Sequence, residues 1–478
     1  MTNEEIKESV IEEFAKLAKI PRPSGHEEKV AEFLQSYLKE LGLSVVKDEV
    51  GNIIADKAAS PGCENAPTIV LQGHMDMVCV ARKGYEFNPL TDAIKLVRDG
   101  DVLTAEGTSL GGDDGIGLAV IIFVLKNIKR HGPIRFIATV DEERGMSGAI
   151  AVDEKFLLDA KYLINCDSED YDLLITGSAG GIELELSYPV KRQTPAVKNA
   201  WKISVGKLKG GHSGEDIGLR RANAILLLAD LLSDIGAAGA LELFEFNGGR
   251  AKNVIPSAAE AVFVTDRTEN ELGAIIDEAQ ARAARLYGDS EPRLEIELVQ
   301  ADLPSTVVES CDSRRLLQTI SLIHSGVYAA QGDKIHSSAN LGLCSLTENS
   351  LYLSIYARSF CAERLNEFGR WAKNFAAVTS GEAKIGEPSP CWQEKSASRL
   401  AELMLEIFAK QNKTDMRREI IHAGLECGWW LEKNPAIDVV SVGVSTDNIH
   451  SPDEKIRLDT IAPQVNLIME TVETLAGE

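Results

Sequence analysis

Histidine, aspartate and glutamate hold divalent cations and move protons, and in this chain they gather in five short stretches. His74 lies in Leu71-Gln-Gly-His-Met-Asp76, directly after a short apolar run. If that run is a strand, residues two apart share a face. Asp76 can then hydrogen-bond one ring nitrogen of His74 and leave the other for a metal. The second stretch, Gly107-Thr-Ser-Leu-Gly-Gly-Asp-Asp-Gly-Ile-Gly117, precedes the apolar run Leu118 to Leu125, which reads as a buried helix. Its acidic pair, Asp113 and Asp114, would favour that helix N-terminus through the dipole, but would repel a phosphate. Neither G-x-G-x-x-G nor the P-loop pattern is present, so a cation suits this loop better.

Thr139-Val-Asp-Glu-Glu-Arg-Gly145 and Ile164-Asn-Cys-Asp-Ser-Glu169 each follow an apolar strand candidate, and Asp447-Asn-Ile-His-Ser-Pro-Asp-Glu454 follows a late one. Each alone is an ordinary acidic turn. In open α/β sheets, however, ligands bind beyond the carboxyl ends of strands, and all five stretches sit there. Together they offer His, Asp, Glu, Asp and His, a donor set suited to Zn²⁺, with Mn²⁺ or Co²⁺ as substitutes. One bridging carboxylate would make such a site dinuclear.

Elements able to position these residues are visible. Ile6, Val10, Phe14 and Leu17, then Val30, Phe33, Leu34, Tyr37 and Leu41, recur at helical spacing, with a break at Pro21-Arg-Pro-Ser-Gly25. Thr68 to Gln72, Ile134 to Val140 and Tyr162 to Asn165 read as buried strands of a largely parallel sheet. From about Ile182 alternating strands and helices, such as Leu241 to Phe246 and Ala222 to Leu232, predict a second, α+β domain. Leu400 to Ala409, Ile421 to Glu432, Asp438 to Val442 and Thr460 to Leu475 resume the first style, so the second domain is expected to be inserted into the first.

Composition narrows the functional classes. The chain has 478 residues, 44% hydrophobic and 26% charged, which is ordinary globular usage. Fifty basic against 73 acidic residues give a net charge of −23, which opposes nucleic acid and anionic membrane faces as partners. No stretch reaches the roughly 18 apolar residues of a membrane helix. The first ten residues show no secretory pattern, and eight scattered cysteines form no C-x-x-C pair. A cytoplasmic location is expected.

GHMDMV, GTSLGGDDGIG, DEERGMSGA, GGHSGEDI, GRAKNVIP, IHAGLECG and IHSPDE occur in the order seen in the aminoacylase and carboxypeptidase superfamily of dizinc exopeptidases. Within it the chain resembles the cytosolic aminoacyl-histidine dipeptidases, from about Pro21 to the C-terminal helix. The resemblance implies a catalytic α/β domain with a central mixed, largely parallel sheet in residues 1–184 and 384–478, and an α+β lid in 185–383. It implies His74, Asp113 and Asp167 as ligands of one zinc, and Asp113, Glu143 and His450 as ligands of the other, with Asp113 as the bridge. Asp76 would orient His74, and Glu142 would be the general base on the attacking water. The Asp113-Asp114 peptide would be cis. His212 would stabilise the oxyanion, Asn253 and Arg358 would hold substrate polar groups, and Gly424 and Glu426 would line the pocket.

Two departures from the family pattern, Asp114 in place of Asn and Cys391 in place of Gly before Trp392, bear on substrate range and leave the ligands untouched. The implied activity is hydrolysis of short peptides, Xaa-His dipeptides first. An N-acyl amino acid amidohydrolase with the same two metals is the alternative. A homodimer through the lid is compatible with either, with His212 serving its own site or its partner's.

Overall fold

The computed structural model describes residues 1–332 and 334–478. They form two compact units: Met1–Ser178 with Trp392–Ile420 and Leu425–Glu478, and Ala179–Cys391 with Ile421–Gly424. The boundaries expected from the sequence, 184/185 and 383/384, fall inside strands Gly180–Pro189 and Glu382–Ile385 of the second unit. A change of sequence texture marks where alternation becomes visible, and that is a few residues into a strand.

The first unit is built on a mixed eight-stranded sheet. In chain order its strands are β1 (Ser44–Lys47), β2 (Ile53–Lys57), β3 (Thr68–His74), β4 (Ile134–Thr139), β5 (Ala160–Asn165), β6 (Leu173–Ser178), β7 (Arg417–Ile421) and β8 (Asp438–Ser441). Their spatial order is β1-β2-β4-β3-β5-β8-β6-β7. The four central strands run parallel, with β3 between β4 and β5 and β8 beside β5. Strands β1 and β2 on one side, and β6 on the other, run antiparallel to their neighbours. Parallel strands covered on both faces read as unbroken apolar runs. From Ile69 to His74 every residue of β3 is buried.

Because β3, β4, β5 and β8 are parallel, their carboxyl ends lie along one edge, where His74, the 141–145 turn and the 166–169 loop begin. Helices α1 (Asn3–Leu17), α2 (Glu28–Glu40), α3 (Gly112–Asn127), α4 (Glu142–Gly145), α5 (Arg399–Asn412) and α6 (Ile461–Leu475) complete the unit's main framework. Helix α3 packs against β3, α1 and α6. It is apolar all round, and Ile116 to Leu125 are buried throughout, as expected for a helix inside the core. The backbone of Asp113 and Asp114 is not helical, so the regular helix starts at about Gly115. The Asp113-Asp114 peptide is cis.

Glu13 of α1 ties three helices together. Its carboxylate is 4% exposed and meets Lys126 Nζ of α3 at 2.6 Å, Lys16 Nζ at 2.8 Å and the Tyr37 hydroxyl of α2 at 2.9 Å. Burial pushes its pKa up, but the two ammonium groups and the phenol outweigh burial and hold it below the usual carboxylate range. A lowered folded pKa contributes stability above the unfolded value, about 4.5, which is lost as pH falls. Glu13→Gln is therefore expected to lower the melting temperature by the same few degrees from pH 8 to pH 6. The gap should narrow below about pH 4.5 as wild-type Glu13 is protonated. Parallel thermal melts of the two proteins across that range check this.

The second unit is an antiparallel sheet with helices, an α+β arrangement. Its central strands include Asn199–Gly206, Ala259–Thr265, Leu241–Gly248, Lys334–Leu346, Ser350–Ser359 and Gly180–Pro189. Helices Ala224–Ala238, Ser310–Ser321 and Ala362–Val378 contribute apolar residues such as Leu228, Leu316 and Phe368 to its core. The eight cysteines are free. Among the described residues no helix is long and apolar enough to cross a membrane.

Candidate metal centre

His74 ends β3, Asp113 precedes the regular part of α3, Glu143 lies in α4 after β4, and Asp167 follows β5 by two residues. His450 sits at the tip of the hairpin formed by Thr446–Asp447 and Lys455–Arg457. Five distant stretches meet through them. His74 Nε2 is 2.9 Å from Asp113 Oδ1 and 3.3 Å from Asp167 Oδ1. His450 Nε2 is 3.2 Å from Asp113 Oδ2 and 2.9 Å from Glu143 Oε2. Each Asp113 oxygen thus faces a different imidazole. Four donor atoms around a zinc at about 2.0–2.1 Å stand roughly 3.3 Å apart, so these spacings fit two cations flanking one carboxylate.

Charge points the same way. Asp113, Glu143 and Asp167 side chains are at most 13% exposed and His74 is 1% exposed. Carboxylates so buried and so close repel one another. Burial, reinforced by Asp113, pushes Asp167 up to about 7 even though His74 draws it down. Burial lowers His450, but hydrogen bonds from its ring to the Asp113 and Glu143 carboxylates overcome it and push the imidazole up to about 11. A cluster that draws positive charge onto an imidazole this strongly has the donor chemistry for a divalent cation.

Asp76, 0% exposed, does more than the sequence indicated. Its Oδ1 lies 3.3 Å from His74 Nδ1, and its two oxygens accept from Glu142 N at 3.0 Å and Glu143 N at 3.2 Å. One carboxylate therefore lies beside the imidazole and takes the first two N–H groups of α4. Burial raises the Glu142 pKa well above the usual range, and Asp167, Glu143 and Glu426 add to that despite the counter-effect of His74. Asp114 accepts from His74 N at 3.1 Å, and burial beside Asp167 holds its pKa well up. That favours the uncharged acid, chemically close to the Asn of the family pattern. Gly73 is required here, because a Cβ would strike Asp114 Oδ2.

Peptidase family M20/M25/M40 matches residues 70–474. The chain belongs to that family. As a member of this family of metallopeptidases it is a hydrolase, and its fold is the family's α/β catalytic unit with a second unit inserted in the chain. Across 97% of both chains it is 32% identical to the cytosol non-specific dipeptidase of Escherichia coli. It is similar to the crystal structure of aminoacylhistidine dipeptidase from Vibrio alginolyticus, with a TM-score of 0.78 and 30% identity over 97% of this chain and 96% of that one. A tripeptidase from Staphylococcus aureus shares the fold at a TM-score of 0.58 and 18% identity, over 99% of each chain.

The remaining expected residues divide between the units. In the second unit, strand Gly211–His212 pairs with Val254–Ile255, placing His212 beside the turn that holds Asn253, whose carbonyl accepts from Ser213 N at 2.8 Å. Arg358 is 6% exposed, stacks over Tyr356 and lies 3.2 Å from His212 Nε2 through Nη2. Gly424 belongs to the short 421–424 segment of the same unit. That segment also brings His422, whose Nε2 is 2.7 Å from Ser338 Oγ and whose pKa is lowered to about 4 by burial, with Arg358 and His336 adding to the effect.

Glu426, expected to line the pocket, is 0% exposed within the first unit, accepting from Gln72 Nε2 at 2.5 Å and Thr139 Oγ1 at 2.8 Å. It stands at the start of the helix Cys427–Lys433, which turns its side chain toward the sheet. Burial pushes it up to about 8. Arg22 and Glu454 do not stand out by residue type or spacing. A glycine-rich loop full of unclaimed N–H groups, with one unassigned acid in His-Ser-Pro-Asp-Glu454, was the available signal.

Proposed function

We propose that this peptidase is a cytoplasmic dipeptidase that hydrolyses short peptides, Xaa-His dipeptides among them, with two divalent cations, zinc by preference, held at His74, Asp113, Asp167, Glu143 and His450. The observation that carries the reading is Asp113, whose two oxygens address two imidazoles as a bridging ligand does. When bound, the cations would polarise the scissile carbonyl and bring a water toward a neutral pKa. Glu142 would take the proton of the attacking water and return it to the leaving amine. Asp76 would hold His74 in one tautomer and keep Glu142 and Glu143 pointing apart.

His212 would donate to the developing oxyanion, Asn253 and Arg358 would hold substrate polar groups, Arg358 the carboxylate, and Gly424 and Glu426 would line the pocket. The E. coli and Vibrio relatives are named for broad and for histidyl specificity respectively, which supports short peptides as the substrate class.

A panel of β-alanyl-histidine, other Xaa-His and plain dipeptides, and N-acetyl amino acids tests this, assayed with and without chelator on samples of measured metal content. Dipeptides should be cleaved, with at least about a 100-fold loss after chelation and recovery on adding Zn²⁺. Turnover of N-acetyl amino acids without any dipeptide would reject the reading.

A further inference from the structure

One carboxylate receives four consecutive backbone N–H groups. Glu454 Oε2 accepts from Leu110 N at 2.7 Å and Gly111 N at 3.0 Å, and Oε1 accepts from Gly112 N at 2.7 Å and Asp113 N at 3.3 Å. Gly111, with φ at +69°, turns the chain so that the donors converge, and a Cβ there would strike Met77 and Arg22. Such a ring of N–H groups is an anion receptor. Here the anion is a buried side chain, 2% exposed, from the hairpin that carries His450.

The carbonyl side of the same loop is held by a cation. Arg22, 2% exposed, donates through Nη2 to Gly111 O at 2.5 Å and through Nη1 to Met75 O at 2.9 Å and Asp76 O at 2.8 Å. Glu454 therefore links the Asp113 loop to the His450 hairpin, and Arg22 links the Asp113 loop to the segment after His74. None of these contacts uses a group needed for a cation.

We infer that Glu454 is a positioning residue of the metal centre, assisted by Arg22. It fixes the Asp113 backbone and the base of the His450 hairpin against each other, so that the bridging carboxylate and the terminal imidazole are spaced before a cation binds. The inference rests on the proposed two-cation site and adds what sets its dimensions. A glutamine cannot replace Glu454, because its NH₂ would face two of the four N–H donors.

The test uses the full-length zinc-loaded protein, challenged with graded concentrations of a metal-buffering chelator while retained zinc is counted. Cobalt-substituted samples give a visible spectrum that reports ligand geometry. Glu454→Gln should hold at least one zinc about 10- to 100-fold more weakly than wild type and show a changed cobalt spectrum. Glu454→Asp, which keeps the charge but is one methylene shorter, should weaken binding about 3- to 10-fold, and it decides the matter if the Gln variant does not fold.

Glu13→Gln, which removes an equally buried carboxylate from the α1–α3 contact, should melt earlier yet keep wild-type zinc affinity and spectrum. A folded Glu454 variant with zinc affinity within about twofold of wild type and an unchanged cobalt spectrum would overturn the inference. Wild-type protein that retains no zinc would instead overturn the two-cation reading, and the inference with it.

Discussion

Glu142→Gln is expected to lower kcat by about 10³-fold, within the 10²- to 10⁴-fold range of general acid–base catalysis, while leaving the metal content at the wild-type value. That loss corresponds to about 4 kcal/mol of transition-state stabilisation. The amide is nearly isosteric and cannot accept a proton. Position 142 meets Asp76 through its backbone N–H, which the substitution leaves in place, so α4 and Glu143 should not move. KM should change little, because the lost interaction belongs to proton transfer and not to ground-state binding. Kinetics on a dipeptide, with zinc counted on the same sample, check both halves. Retained activity would remove Glu142 from its role, and lost zinc would make it a ligand or a support of one.

The legible part of the centre was the part encoded by local pattern. His74, Glu143 and Asp167 each follow an apolar run by a few residues, and the four parallel central strands bring those run ends to one edge. Sequence spacing alone already placed carboxylates and an imidazole there. A bridging role for Asp113 is implied by the resemblance to a dizinc family alone, since nothing in a pair of adjacent acids says which one faces two histidines.

What pattern could not show was contact at long range through backbone atoms. Arg22 stood in a Pro-rich break and read as punctuation, yet its three acceptors are carbonyls 53, 54 and 89 positions away. Glu454 read as one of several acids in a loop, and its partners are backbone N–H groups more than 340 positions earlier. Backbone donors carry no side-chain signature, so neither contact leaves a trace in residue types. The partners of Glu426 are hidden for a related reason: whether an acid before a helix faces solvent or sheet depends on the helix's docking, here against the Gln72 and Thr139 side chains.

Asp113→Ala carries the largest expected effect, a fall in kcat/KM of at least about 10⁴-fold, or roughly 5 kcal/mol, with both zinc ions held more weakly than in wild type. The reason is its double duty. His74 and Asp167 remain on one side and Glu143 and His450 on the other, so each cation would keep two protein donors, below the three typical of catalytic zinc. Asp167→Ala makes the comparison sharp, because it removes a donor only from the His74 side, where Asp167 Oδ1 is 3.3 Å from the imidazole.

Asp167→Ala should therefore lose one zinc and keep the other, whereas Asp113→Ala should weaken both. Asp113→Asn separates charge from shape: it retains one oxygen acceptor but replaces the other with a donor, and should hold a single ion on whichever side the oxygen faces. Zinc counts and chelator competition on the three variants read this directly. Equal zinc loss in Asp113→Ala and Asp167→Ala, confined to one ion in each, would mean that Asp113 serves one cation and that its approach to both imidazoles is only a hydrogen-bonding arrangement.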